Sequence, residues 1–554
     1  MSAREPRIEL RPAARAAGES DAPTANLSHL LAARAAEHPD RCAVRTLGGA
    51  ALTFAALEER ATAIARGLAE LGLGPGDRAC LFVRPGPDLI AIAHALFRAG
   101  IVPVLVDPGL GRRRLLECVE RTGPRAFLGV PRAHVARVLF PRAFRTVEVA
   151  ITVGRRRGWN GVTLAEIEGV GGSGWRPAPT AATDEAAIVF TSGSTGPPKG
   201  VAVTHGGFAG QLRALAQLYG LGPGGVDVAC FPLFALYDGA LGMTSVFPDL
   251  DVSRPGACDP ARVYAALAES RATFTFGSPA IWRRVLPWMR KHGRRLPELR
   301  ALTIAGAPVP PRLVLGLREL LSPGSEVYTP YGATEALPVT SIAGAELAGG
   351  LVARSEGGEG SCVGRPAPGI ELRLIGIADA AIPAWDDTLL VPPGAPGEIA
   401  VRGPVVSARY DRDEPANRLA KIRAGDGTIW HRMGDAGRLD ADGRLWFLGR
   451  LAHRLRTAAG AVMPVPVENV YNTCPGVRRT ALVGTGAPGA ERPVLVVERE
   501  RGAGRAAVRR AILARAGTPP LAAVLFRRRF PVDVRHNAKI ERRALARWAE
   551  RRVR

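Results

Sequence analysis

Residues 190–205, FTSGSTGPPKGVAVTH, restrict this chain more than any other stretch. An apolar run at 186–189 leads into ten residues of glycine, proline, small hydroxyls and one lysine, and a second apolar run at 201–203 leads out. That order predicts two strands joined by a polar loop. Gly193, Gly196 and Gly200 let the backbone turn its N–H groups inward. Thr191, Ser192, Ser194 and Thr195 add short donors, and Lys199 adds a compact cation, which together make a phosphate cradle. Pro197 and Pro198 stiffen its tip. A Ser/Gly surface turn is the plain alternative, and the concentration of such residues around a single cation argues against it. The P-loop of nucleoside triphosphatases is excluded. It needs Ser or Thr directly after its lysine and then a helix, whereas Lys199 precedes Gly200 and strand-forming residues.

The chain before this loop alternates in period. Helices are expected at 26–36 and 55–71, the second capped by Thr53 and stopped at Gly72. Strands at 80–83, 102–106 and 126–130 then alternate with helices at 88–98 and 112–121, which is the grammar of a parallel sheet covered on both faces. After the loop, a helix at 208–219 precedes strands near 273–276, 301–304 and 326–328. Each of these strands ends in a small-residue turn: GSP at Gly277, AGAP with Gly306 and Ala307, and YGATE from Tyr331. Carboxyl ends of parallel strands build sites in α/β folds, so the three turns are expected to line one crevice. Beyond Arg450 the chain changes to short strands (480–483, 494–497), a helix (505–516) and a basic end. The expected fold class is α/β: a leader over 1–25, a large multi-subdomain α/β domain over 26–449, and a hinged, small, mobile α+β domain over 450–554.

The formal charge of +23 would suit nucleic acid or an anionic membrane, but the arginines are spread over the whole chain in short clusters such as 112–114, 155–157 and 527–529. No nucleic-acid partner is expected. Of 74 basic residues only four are lysines, Lys199, Lys291, Lys421 and Lys539, so a lysine that can move a point charge into a reacting centre stands out. Lys291 reads as a surface helix end. Seven scattered cysteines with no C-x-x-C pair predict a reducing compartment and no structural zinc. No run approaches the length of a membrane span, and a cytoplasmic location is expected.

Four further stretches carry chemistry. In Tyr331-Gly332-Ala333-Thr334-Glu335 the carboxylate is a hard ligand suited to Mg²⁺, and Thr334 can bond a phosphate or nucleotide oxygen. GSCVGRPAPG follows at 360–369, and HRMGDAGRLDADGRLWFLGR at 431–450 has a hairpin signal at Asp442-Gly443. FPVDVRHNAKIERRAL at 530–545 carries Lys539. With the 190–205 loop, these resemble the adenylate-forming superfamily of acyl-CoA ligases, luciferases and peptide-synthetase adenylation domains. The resemblance implies ATP and Mg²⁺ as cofactors. It places the pyrophosphate on the hydroxyl loop and Lys199, and the metal on Glu335 and Thr195. It puts Gly306, Ala307, Tyr331, Gly332 and Thr334 on the nucleotide, Asp435 and Arg450 on the ribose, and makes Lys539 the catalytic lysine.

Departures from the superfamily pattern point to a narrower group. Ala235 stands where many CoA ligases carry a histidine beside the acyl pocket, Ala452 replaces the usual hinge lysine or aspartate, and Ala538 rather than glycine precedes Lys539. These argue against a thiol acceptor. The runs VLVDPG (104–109), GVPRAHVARV (129–138), TVGRRRGW (152–159), FPLFALYDGALG (231–242), YTPYGATE and HRMGDAG look like those of the β-lactone synthetases of bacterial long-chain olefin biosynthesis. That likeness implies adenylation of a long-chain 2-alkyl-3-hydroxy fatty acid and attack by its own β-hydroxyl to close a β-lactone. It also implies thiolase-like, reductase and decarboxylase partners. Ligation to CoA or loading of a carrier protein is the alternative. The base for the β-hydroxyl stays open among His205, His431, His536 and the adenylate phosphate, and the acyl pocket is expected around 231–246 and 276–282.

Overall fold

The computed structural model describes residues 25–172, 174–190, 197–515, 519–532 and 540–553. The expected phosphate loop joins two strands, Glu185–Phe190 and Gly200–Thr204, paired antiparallel with Phe190 opposite Gly200. They belong to an eight-stranded sheet in which Val102–Leu105, Arg78–Phe82, Ala126–Gly129 and Val149–Thr152 run parallel to Glu185–Phe190. The helix Phe54–Glu70 is capped by Thr53, whose hydroxyl accepts from Ala56 N–H at 3.2 Å. Pro87–Arg98, apolar almost all round, is buried along its whole length, as such a helix must be.

A fourteen-stranded sheet forms the second half of the large domain. Val226–Val228, Thr244–Phe247, Phe274–Gly277, Ala301–Ile304 and Glu326–Ala333 are its parallel part. Here one expectation needs correcting: YGATE is not a turn that follows a parallel strand. The strand runs through Ala333 and reverses at Thr334 and Glu335 into antiparallel Ala336–Ala343. Gly332 makes the reversal possible, because a Cβ there would lie 2.6 Å from the Ala336 carbonyl oxygen. The helix after the phosphate loop also starts three residues early, at His205, since the Thr204 hydroxyl caps Gly207 N–H at 3.0 Å. The hairpin signal at Asp442-Gly443 is met by Ile429–Leu439 and Leu445–Arg450.

The smaller C-terminal domain is built on Val477–Thr485, Arg492–Arg499 and Ala523–Phe526. Alternate residues face opposite sides: Leu482, Leu495 and Val497 pack with Ile512, while Ala481, Val483, Val494 and Val496 pack with Phe530 and Leu545. The helix Arg505–Leu513 stops short of the expected 516. No helix among the described residues is long and apolar enough to cross a membrane.

Candidate active site

A two-residue strand that the sequence did not advertise, Arg409–Tyr410, assembles the centre. It pairs antiparallel with Gly200–Thr204, setting Tyr410 opposite Val201. The Lys199 ammonium lies 4.8 Å from the centre of the Tyr410 ring, a cation–π contact. The Tyr410 hydroxyl donates to Glu335 Oε1 at 2.7 Å, and the backbone N–H of Ser407 donates to the Glu335 carbonyl at 2.8 Å. Thus Lys199 and Glu335 are gathered on one phenol. Burial and the adjoining carboxylate push that phenol far above its usual range, so it stays a hydrogen-bond donor.

Lys421 is the second residue missed by sequence reasoning, although it is one of the four lysines. It is buried, donates to the carbonyl and hydroxyl oxygens of Ser407, the latter at 3.1 Å, and lies 5.4 Å from the Tyr410 ring centre. Burial draws its ammonium down to about 7, partly opposed by Glu335. Its register partner is His431, whose Nδ1 donates to the Ala420 carbonyl at 3.2 Å. Burial first, and then the Lys421 charge, hold that imidazole well below its ordinary range. His205, another candidate base, sits in the core edge-on to Phe97, and burial lowers it to about 4. His536, Lys539 and Thr191, Ser192, Gly193, Ser194, Thr195 and Gly196 lie outside the described residues.

Asp435 and Arg450 face each other across their hairpin, with Arg450 Nε 3.1 Å from Asp435 Oδ1. Tyr331 donates to Asp435 Oδ2 at 2.7 Å, and its ring lies 5.7 Å from that of Phe447. Three residues picked from two motifs are therefore one cluster. The Tyr331 phenol is raised well above its usual range, by burial first and by the Asp435 charge second. Gly306 and Ala307 turn at the carboxyl end of Ala301–Ile304, Gly306 with φ +90°. Thr334 is half-buried at the hairpin tip beside Glu335.

Against the helix His205–Tyr219 lies a small cavity lined by Tyr219, Phe234, Phe276, Thr303, Pro330 and Leu337. Phe276, Thr303 and Pro330 of three neighbouring parallel strands meet at this cavity, and none of the three turns expected to line one crevice is in its wall. Phe234 and Phe276 come from the stretches expected around the acyl chain and Tyr219 from the helix, while Trp282 is packed behind Gly277, where a Cβ would lie 2.8 Å from its indole nitrogen.

No cluster of three or more His, Cys, Asp or Glu side chains is present among the described residues. A single hard carboxylate, Glu335, fits Mg²⁺ all the same, because that ion keeps several waters and is held by one or two carboxylates together with substrate phosphates.

Residues 31–411 match the family model of AMP-binding enzymes. The chain is 46% identical over 546 residues to an olefin beta-lactone synthetase of Xanthomonas campestris pv. campestris, covering 95% of this chain and 97% of that one. It is likewise 46% identical to one of Stenotrophomonas maltophilia, covering 95% and 98%. A feruloyl-CoA synthase of an Amycolatopsis species is 30% identical, covering 82% and 84%. Among solved structures, an amide bond synthetase from Marinactinospora thermotolerans superposes with a TM-score of 0.79 at 24% identity, covering 95% of this chain and all of that one. The chain is an adenylate-forming ligase and belongs to the AMP-binding enzyme family, together with the olefin beta-lactone synthetases it resembles over nearly its whole length.

Proposed function

We propose that the protein adenylates a 2-alkyl-3-hydroxy fatty acid and closes it to a β-lactone. The observation that carries this reading is the 46% identity, over 95% of the chain, to enzymes named for that product. Buried Ala235 and exposed Ala452, in place of the side chains expected in thiol-using ligases, support it.

In the first step a carboxylate oxygen attacks the α-phosphorus of ATP, the bond to the β-phosphate breaks, and pyrophosphate leaves. In this reading Lys199, against the Tyr410 ring, holds the departing charge, and the joined Asp435, Arg450 and Tyr331 fix the ribose. Glu335 would hold Mg²⁺, which neutralises phosphate oxygens when bound, and Tyr410 orients that carboxylate. Lys539 stabilises the negative charge of the crowded phosphorus centre. In the second step the β-hydroxyl oxygen attacks the acyl carbon, the bond to AMP breaks, and the hydroxyl proton leaves. Intramolecular attack needs no thiol channel, and its effective molarity offsets part of the ring strain. His205 and His431, neutral and packed, are poorly placed to take that proton; between His536 and the adenylate phosphate we favour the phosphate, which is already bonded to the reacting acyl carbon.

Incubation with ATP, Mg²⁺ and a 2-alkyl-3-hydroxy acid, with and without CoA, tests the reading by product mass. A lactone plus AMP in both arms is expected. A CoA-dependent thioester without lactone would overturn it in favour of the ligation suggested by the feruloyl-CoA synthase. Lys539→Ala should abolish adenylate formation in either case.

A further inference from the structure

Two stretches singled out in the sequence, 129–138 and 152–159, take no part in the adenylation site, yet the fold joins them. They follow the neighbouring parallel strands Ala126–Gly129 and Val149–Thr152. His134, on the helix Pro131–Leu139, stacks flat on Trp159, with ring centres 5.3 Å apart and planes at 3°. Trp159 donates to the Thr152 hydroxyl at 2.9 Å, and His134 Nε2 to the Ile151 carbonyl at 3.1 Å. Arg137 reaches across to the Asn160 carbonyl at 3.3 Å. Loop and helix therefore form one braced surface.

That surface combines exposed hydrocarbon with cations. A cleft of about 450 Å³ has Val83, Val130 and Val153 in its wall and Arg84, Arg132, Arg155 and Arg157 around it. None of these arginines makes an ion pair among the described residues, and the one carboxylate in the cleft, Asp88, is engaged by Arg60 at 2.8 Å. Glu166 lies close enough to Arg156 to feel its charge. Beside the cleft, Val135, Val138 and Leu139 are 48%, 57% and 66% exposed, at the i, i+3, i+4 spacing of one helix face. They are three of the seven exposed large hydrophobics among the described residues. Arginines far apart in sequence thus converge in space, which their spread along the chain concealed.

We propose that this face docks on an anionic lipid bilayer. The arginines take headgroup phosphates while Val135, Val138 and Leu139 enter the boundary between headgroups and acyl chains, the arrangement by which basic amphipathic helices lie on membranes. An acidic protein would satisfy the guanidinium groups but gives no account of exposed hydrocarbon set among them. The strands beneath the cleft run parallel to Glu185–Phe190, so the docking face opens on the same sheet edge as the phosphate loop. A two-chain fatty acid dissolves in bilayers, and in that respect the proposal rests on the function proposed above.

The test is sedimentation of the full chain, without ATP or acid, with vesicles of phosphatidylcholine alone or containing a quarter phosphatidylglycerol, at low and high salt. Binding about tenfold tighter to the anionic vesicles and weakened by salt is expected. The triple variants Val135→Ser/Val138→Ser/Leu139→Ser and Arg155→Gln/Arg156→Gln/Arg157→Gln should each weaken it about tenfold. Their ATP–pyrophosphate exchange with a short soluble acid should equal that of the parent, which establishes that they fold. Equal binding to both vesicle types, or parent-level binding by both variants, overturns the proposal. So does salt-sensitive retention on immobilised poly-glutamate without vesicle binding, which assigns the face to an acidic protein. A failed lactone assay alongside vesicle binding would instead remove the proposed reaction and leave the surface standing.

Discussion

Tyr410 donates its hydroxyl to Glu335 Oε1 at 2.7 Å while its ring lies against Lys199. One side chain thereby ties together the carboxylate proposed to hold a metal and the cation proposed to hold phosphate. Tyr410→Phe keeps the ring contact and removes only the hydrogen bond. A hydrogen bond to a charged group contributes about 1.5–3 kcal/mol, so adenylation should slow by about tenfold or more, with a raised Mg²⁺ requirement. Titrating ATP–pyrophosphate exchange against Mg²⁺ checks this; a variant with an unchanged Mg²⁺ curve would detach Tyr410 from the carboxylate's role.

Lys421 gives a prediction with a pH sign. Its folded pKa, about 7, is below that of a free lysine, so between the two values the unfolded chain binds more protons than the folded one. Its contribution is therefore least favourable below pH 7 and improves as pH rises toward the ordinary lysine range. Lys421→Met should raise the melting temperature near pH 6.5 and flatten its rise with pH above 7. Adenylation should fall, because Ser407 and Tyr410 lose the side chain that braces them beside Glu335. Parallel thermal scans and exchange assays separate the two effects.

Asp435→Asn keeps the shape of the hairpin but discharges the partner of Arg450 and the acceptor of Tyr331. Both neighbours are then left competing for a weaker acceptor where the ribose is expected. The KM for ATP should rise about tenfold or more, with a smaller change in kcat, since a positioning contact made alike in ground and transition states acts mainly on binding.

The contrast between Asp435 and Lys421 explains what the sequence made legible. Glu335 and Lys199 each sit in a contiguous motif whose residue types already suggest a chemistry, and Asp435 sits in one that the family resemblance singles out. Tyr410 acts through pairings with residues far along the chain, from a two-residue strand too short to carry a period, and Lys421 acts through its contacts with Ser407 and Tyr410 on and beside that strand. Strand and helix order in the large domain was legible because parallel βαβ units alternate strongly. The continuation of strand through Tyr331 was not, because Gly332 reads locally as a turn, and its need for a close approach to Ala336 at the hairpin reversal shows only once the two strands are paired. The convergence of arginines around Val83, Val130 and Val153 was hidden for the same reason: adjacency of parallel strands is tertiary information.

Away from the site, Asp227 and Asp238 are buried together, and the Ser245 hydroxyl donates to Asp238 Oδ2 at 2.5 Å. Burial, and for Asp227 the charge of Asp238 as well, raises both carboxyls, Asp238 to about 6, so the folded chain keeps a proton on the pair that an unfolded chain releases near pH 4. A raised carboxyl favours the fold below the unfolded pKa, and that stability is lost as pH rises through the folded value. The melting temperature should therefore fall between pH 5 and pH 7. Asp227→Asn supplies a neutral donor in place of the shared proton and should remove much of that fall, leaving the variant about 2 °C more stable than the parent at pH 7.5. Calorimetry across this range decides it, and a parent curve that rises from pH 5 to 7 would show that the two carboxyls do not share a proton.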